Sequence, residues 1–104
     1  MCIRELSEKF RKNGFDFEIV SRSNVDQKST IAIVLLRKFR SKNPYGYEVH
    51  IVRRCKSHPR SDFEFYEKLA SDEDFGSYGW YYATEEMGRA QHKYEDLVTK
   101  YETV

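Results

Sequence analysis

The chain has 104 residues, with 18 basic against 17 acidic side chains and a formal charge of +1; 39% of it is apolar and 34% charged. That length fits a single domain spanning residues 1–104, with one core and no need of disulfide staples. The longest apolar run, residues 31–36, is far short of the roughly 20 residues that cross a bilayer, and 16 aromatic residues are at odds with a disordered chain.

The first segment reads as a short helix, because Ile3, Leu6 and Phe10 recur at three- and four-residue spacing and Asn13-Gly14 offers a left-handed stop. Residues 15–19 alternate as a half-buried strand should, and residues 21–29 read as a polar turn. Residues 30–40 start apolar and end basic. Apolar side chains on both parities of 31–36 predict a central strand covered on both faces. Pro44 and Gly46 punctuate a turn over 41–46, and Tyr47, Val49 and Ile51 alternate against Glu48 and His50 in a third strand ending at Arg53-Arg54.

Residues 57–61 form a loop, and residues 62–70 fit a helical turn better than a strand. An acidic loop follows over 71–79, and Trp80-Tyr81-Tyr82 make a very short strand. The last element is the strongest. Thr84 caps a helix whose apolar face carries Met87, Ala90, Tyr94, Leu97, Val98 and Tyr101. The predicted fold is α+β: a three- or four-stranded antiparallel sheet packed against an N-terminal helix and a longer C-terminal one. The 84–101 helix is expected to lay Met87, Ala90, Tyr94 and Leu97 on Phe15, Phe17, Ile19, Val49 and Ile51.

The near-zero net charge hides an asymmetry. Residues 1–60 hold 14 basic and 6 acidic side chains (+8), whereas residues 61–104 hold 4 and 11 (−7). Such a split steers a charged partner, lets two copies meet head to tail, or is used up inside one compact domain. The first ten residues lack the apolar core of a secretory signal, and Cys2 and Cys55 read as reduced thiols, so a cytoplasmic setting is expected.

Chemistry-bearing motifs are sparse. His50, Cys55 and His58, with His92 further on, carry ligand types that zinc favours, but no Cys-x2-Cys pair anchors them, and His50 and Cys55 fall on opposite strand faces. Cys55 with either histidine lacks an orienting third group for nucleophilic catalysis. Asp26-Gln27-Lys28 is too degenerate for a nuclease motif, and Gly76-Ser77-Tyr78-Gly79 is neither a P-loop nor a dinucleotide fingerprint. No catalytic residue, metal or cofactor is assigned on this reading.

Two charged clusters remain. Arg37, Lys38, Arg40 and Lys42 lead into one end of the predicted hairpin, and Arg53, Arg54, Lys56 and Arg60 follow its other end. Together they could track a nucleic-acid backbone or an acidic partner, with Phe39, Tyr45 and Tyr47 for stacking. Asp72, Glu73 and Asp74 beside Tyr78 and Tyr81 make an aromatic–acidic patch suited to a basic protein surface, while Trp80 and Tyr82 are expected in the core.

The predicted order of helix, three strands and helix resembles double-stranded-RNA-binding domains. Their basic cluster at the start of the last helix is replaced here by Thr84-Glu85-Glu86-Met87-Gly88, which would repel phosphate. Over residues 45–101, Tyr47-Glu48-Val49-His50-Ile51, then Phe75-Gly76 and Gly79-Trp80-x-Tyr82-x-Thr84 with its helix, resemble small phage- or mobile-element-borne accessory proteins. Such proteins are often of unknown function, and some bind and inhibit host machinery; with no catalytic constellation beside abundant aromatics and segregated charge, the expectation is a non-enzymatic protein that binds and modulates a host macromolecule. The expected partner is a protein, with nucleic acid the alternative, a second copy of the chain a further fit, and no membrane contact.

Overall fold

The structure, a computed structural model, describes residues 3–25 and 31–102. Cys2 and residues 26–29 of the polar turn expected over 21–29, with the Asp26-Gln27-Lys28 tripeptide, lie outside the described residues. Within them the chain is mostly sheet, with seven strands and one α-helix at its C-terminal end. The strands are β1 (Ile3–Arg4), β2 (Lys9–Lys12), β3 (Phe15–Asn24), β4 (Ile31–Arg40), β5 (Asn43–Lys56), β6 (Phe65–Lys68) and β7 (Gly79–Ala83); the helix is α1 (Met87–Glu102).

The expected N-terminal helix is absent, which corrects the predicted fold class. Lys9–Lys12 alternates exposed and half-buried as a strand does. Asn13 (φ 54°) and Gly14 (φ 82°) form a two-residue hairpin turn joining β2 to β3, with Lys12 opposite Phe15. Two positive φ values are what a primed hairpin turn requires, and Asn-Gly supplies them most readily. The same dipeptide serves as a helix stop, and three apolar residues at 3, 6 and 10 cannot separate the two readings.

Three more expectations shift. β3 continues to Asn24 instead of turning after Ile19, with a bulge between Ile19 and Ser21. The turn between β4 and β5 is Ser41-Lys42 alone (φ 50° and 69°), so Pro44 and Gly46 belong to β5. Residues 65–68 form a strand, not a helical turn, because Glu67 turns inward while Tyr66 and Lys68 face out. The helix itself begins at Met87, after a 3-10 turn over Thr84–Glu86 in which the Glu86 side chain accepts from the Ala83 amide (3.1 Å).

Strand order is β1-β6-β5-β4-β3-β2, with β7 beside the first part of β5. Every pairing is antiparallel except β1 with β6. β3 and β6 stand three strand spacings apart, about 14 Å in a flat sheet. Yet the Arg22 guanidinium on β3 grips both oxygens of Glu67 on β6. The sheet must therefore curl strongly, forming a half-barrel. Its concave mouth is strapped by the chain's own start: β1 lies on one edge, β2 on the other, and only residues 5–8 join them.

The two parities of β4 explain both cores. Ile33 and Leu35, with Val49 and Ile51 of β5, meet Ala90, Tyr94 and Leu97 of α1 on the convex side, where Trp80, Tyr82 and Tyr78 pack around them. Ala32, Val34, Leu36 and Val52 line the concave side with Phe17 and Leu69, and Phe10, Phe15 and Ile19 close over them. The helix thus meets Val49 and Ile51 as expected but not Phe15, Phe17 or Ile19, which serve the other core. Met87 is exposed at 43%. Replacing the buried Leu97 by Ala should cost about 2–5 kcal/mol, read from a urea melt as a lowered midpoint at unchanged slope.

Candidate functional site

The concave face carries charged side chains where its strands predict apolar ones. Glu48 and His50 stand opposite Leu36 and Val34, and both are buried. The Lys38 ammonium donates to Glu48 Oε2 at 2.7 Å, and His50 Nε2 lies 2.8 Å from Glu48 Oε1. The Ala70 amide donates to His50 Nδ1 at 3.2 Å. Because an amide nitrogen can only donate, Nδ1 is the bare nitrogen and the Nε2 proton points at Glu48. His50 is therefore the neutral tautomer, with both ring nitrogens engaged. Burial pushes the Glu48 carboxyl up, but the hydrogen bonds from His50 and Lys38 outweigh it and hold it below the usual carboxylate range.

Lys38 is also caged by rings. Its ammonium lies 4.1 Å from the centroid of Phe15, 5.2 Å from Tyr81, 5.3 Å from Tyr45 and 5.7 Å from Phe17. The ring faces attract the cation that Glu48 holds from below. Phe15 and Tyr45 are 4.8 Å apart, and Tyr45 and Tyr81 are 6.1 Å apart. The Tyr81 hydroxyl donates to the Tyr45 carbonyl at 3.1 Å. Gly46 permits this arrangement: a Cβ there would lie 2.5 Å from the Tyr82 carbonyl and 2.8 Å from the Tyr81 ring.

In front of the cage opens a cleft of about 370 Å³, bounded by Lys12, Asn13, Phe15, Tyr81, Phe75 and Asp72. Tyr81 stays 44% exposed at its rim, and Tyr45, 41% exposed, leans against the Tyr81 ring. The Tyr81 hydroxyl is pushed up by burial, by Tyr45 and by the nearby carboxylates Glu85, Glu48 and Glu86. Lys12 faces the cleft too, but its ammonium donates to the Ala70 carbonyl at 3.1 Å. The cleft is therefore lined by rings and by two cations against two carboxylates, Lys12 and Lys38 against Asp72 and Glu48.

The sequence-predicted clusters are redistributed. Lys38 is spent inside on Glu48, and Arg53 pairs with Asp74 (3.0 Å) while its guanidinium lies 4.2 Å over the Tyr78 ring. Arg54 stands opposite Glu67 on β6. Arg37, Arg40 and Lys42 sit at the β4–β5 turn, and Lys56 and Arg60 lie at the hairpin's far end. They do not form one basic surface. Of the aromatic–acidic patch, Tyr78 packs against the helix-side core and Asp74 is paired, whereas Tyr81, Asp72 and Glu73 remain exposed. His58 lies exposed in the β5–β6 loop and His92 on α1 beside Asp96 (3.2 Å), so neither joins His50.

Sequence reasoning missed Glu48, His50, Phe15 and Tyr45 as a group. A signal existed: a neighbour strand buried on both faces forces Glu48 and His50 inside as well. No protein-family model, curated protein or solved structure matches this chain. No described helix is long and apolar enough to cross a membrane.

Proposed function

We propose that this chain is a small binding protein, non-enzymatic in its action, that holds a basic segment of a protein partner in the cleft beneath Tyr45 and Tyr81. A phage or mobile-element accessory protein that occupies a host macromolecule would work in this way. The carrying observation is the pair of outward rings in mutual contact, backed by a caged ammonium, with Asp72 lining the cleft and the exposed Glu85 near Tyr81. Exposed tyrosines beside carboxylates offer an arginine or lysine both a ring face and a counter-charge. Aromatic side chains that are already held in place lose little entropy on binding and dominate interface energetics.

The test is affinity capture with the parent chain and with a Tyr45→Ser/Tyr81→Ser variant, each with and without nuclease. Both rings are exposed, so the melting temperature should move by only a few degrees. A nuclease-resistant partner that the variant loses at least about tenfold is the expected result. Recovery of nucleic acid alone, or equal capture by both proteins, would defeat the reading.

A further inference from the structure

A second opening lies on the far edge of the sheet. β1 accompanies β6 only as far as Arg4 opposite Tyr66, then leaves it to reach β2. The divergence opens a groove of about 470 Å³ between the strap and residues 66–71. Arg4, Arg11 and Lys68 line it, together with Lys12, whose ammonium already donates to the Ala70 carbonyl. Of its two carboxylates, Glu67 is already neutralised by Arg22 and also accepts from the Leu6 amide (2.9 Å), which leaves Glu5 alone against Arg4, Arg11 and Lys68. The floor is apolar, made by Leu6, Phe10 and Leu69, and Tyr66 stands at the side 38% exposed.

From this juxtaposition of three cations, an exposed ring and an apolar floor, we infer that the groove binds a nucleoside phosphate, free or as a unit of a single strand. The cations suit phosphate, and the ring and floor suit a planar base. Inorganic phosphate would leave the floor wet, and an acidic peptide would bring no flat ring to Tyr66. The volume lies in the range of ligand clefts, about 300–1,000 Å³. This groove shares only Lys12 with the Tyr45–Tyr81 cleft and does not rest on its reading.

Fluorescence anisotropy with a labelled ten-nucleotide oligouridylate at low salt, alongside calorimetry with UMP and with inorganic phosphate, tests the inference. Binding of the oligonucleotide alone identifies a single strand as the source, and binding of UMP with comparable strength identifies a mononucleotide; either supports the site. Arg4→Glu/Lys68→Glu should lower affinity at least about tenfold and flatten the salt dependence. Tyr66→Ser should lower affinity for UMP about tenfold while leaving inorganic phosphate unaffected. Circular dichroism checks each fold, and Arg4→Gln/Arg11→Gln replaces the reversal variant if that does not fold. The inference is overturned if neither UMP nor the oligonucleotide binds, if polyglutamate competes as well as the oligonucleotide, or if binding survives every groove variant but is lost in Arg37→Glu/Arg40→Glu.

Discussion

Replacing Glu67 by Ala is expected to destabilise the fold by about 3–5 kcal/mol, the cost of stranding a partly buried cation. The Glu67 carboxylate has 2% exposure, and both its oxygens face the Arg22 guanidinium, itself 21% exposed. Its loss would also strip the Leu6 amide of its acceptor and release the strap from β6. The double change Arg22→Met/Glu67→Leu should recover much of the loss, since an apolar pair of similar volume often matches a buried ion pair. Comparing the two single variants with the double one by chemical denaturation measures the coupling. A Glu67→Ala loss below about 1 kcal/mol, typical of an exposed pair, would mean that the clasp does not hold the curl.

Glu48→Ala is expected to cost a similar 3–5 kcal/mol. It leaves the Lys38 ammonium in its ring cage with no counter-ion and His50 Nε2 with no acceptor. Acid should act on the same groups. Burial alone would raise both carboxyls, but the hydrogen bonds to Glu48 from His50 and Lys38, and to Glu67 from Arg22 and Leu6, leave each lower than normal. Folded, they hold protons more weakly than in the unfolded chain, where glutamate titrates near pH ~4.3. Their stabilisation is thus complete above that value and drains away as pH falls through the folded pKa values. Thermal melts between pH 7 and 2 should show a plateau, then a decline that sets in as pH falls past about 4.3. The decline should be shallower in Glu48→Gln, which removes one of the two titrating groups.

The elements legible in the sequence were those whose pattern is local and unambiguous. Residues 31–36 announced a doubly covered strand, and the face of Ala90, Tyr94 and Leu97 announced the helix. Asn13-Gly14 failed as a guide because one dipeptide ends helices and turns hairpins, and what decides is a partner strand the reader cannot see. β6 was obscured because its four residues are too few to establish a period, and their inward member is a glutamate whose reason is Arg22, 45 positions away. The candidate site was hidden for a related cause. Glu48 and His50 alternate with Val49 and Ile51 as solvent-facing residues would, and the one hint of a second interior on their side, the doubly apolar run 31–36, counts only once β5 is known to lie beside it. The charge asymmetry, in contrast, was legible but ambiguous. Arg22–Glu67 and Arg53–Asp74 show that part of it is consumed within the domain.

The strap also sets a schedule. The strand formed by Ile3–Arg4 finds its partner at Phe65 and Tyr66, so during synthesis the earliest part of this fold must wait for one of its latest. At about 5–20 residues per second, some sixty intervening residues take roughly 3–12 seconds to appear. Throughout that interval the β2–β3–β4 hairpins, whose contacts are near neighbours, can assemble while their concave face lies open. Phe10, Phe15 and Phe17 are then exposed together on a nascent sheet. The last stitch is the one that covers them, and the time before it is the period in which a newborn chain is most apt to meet a chaperone or another copy of itself.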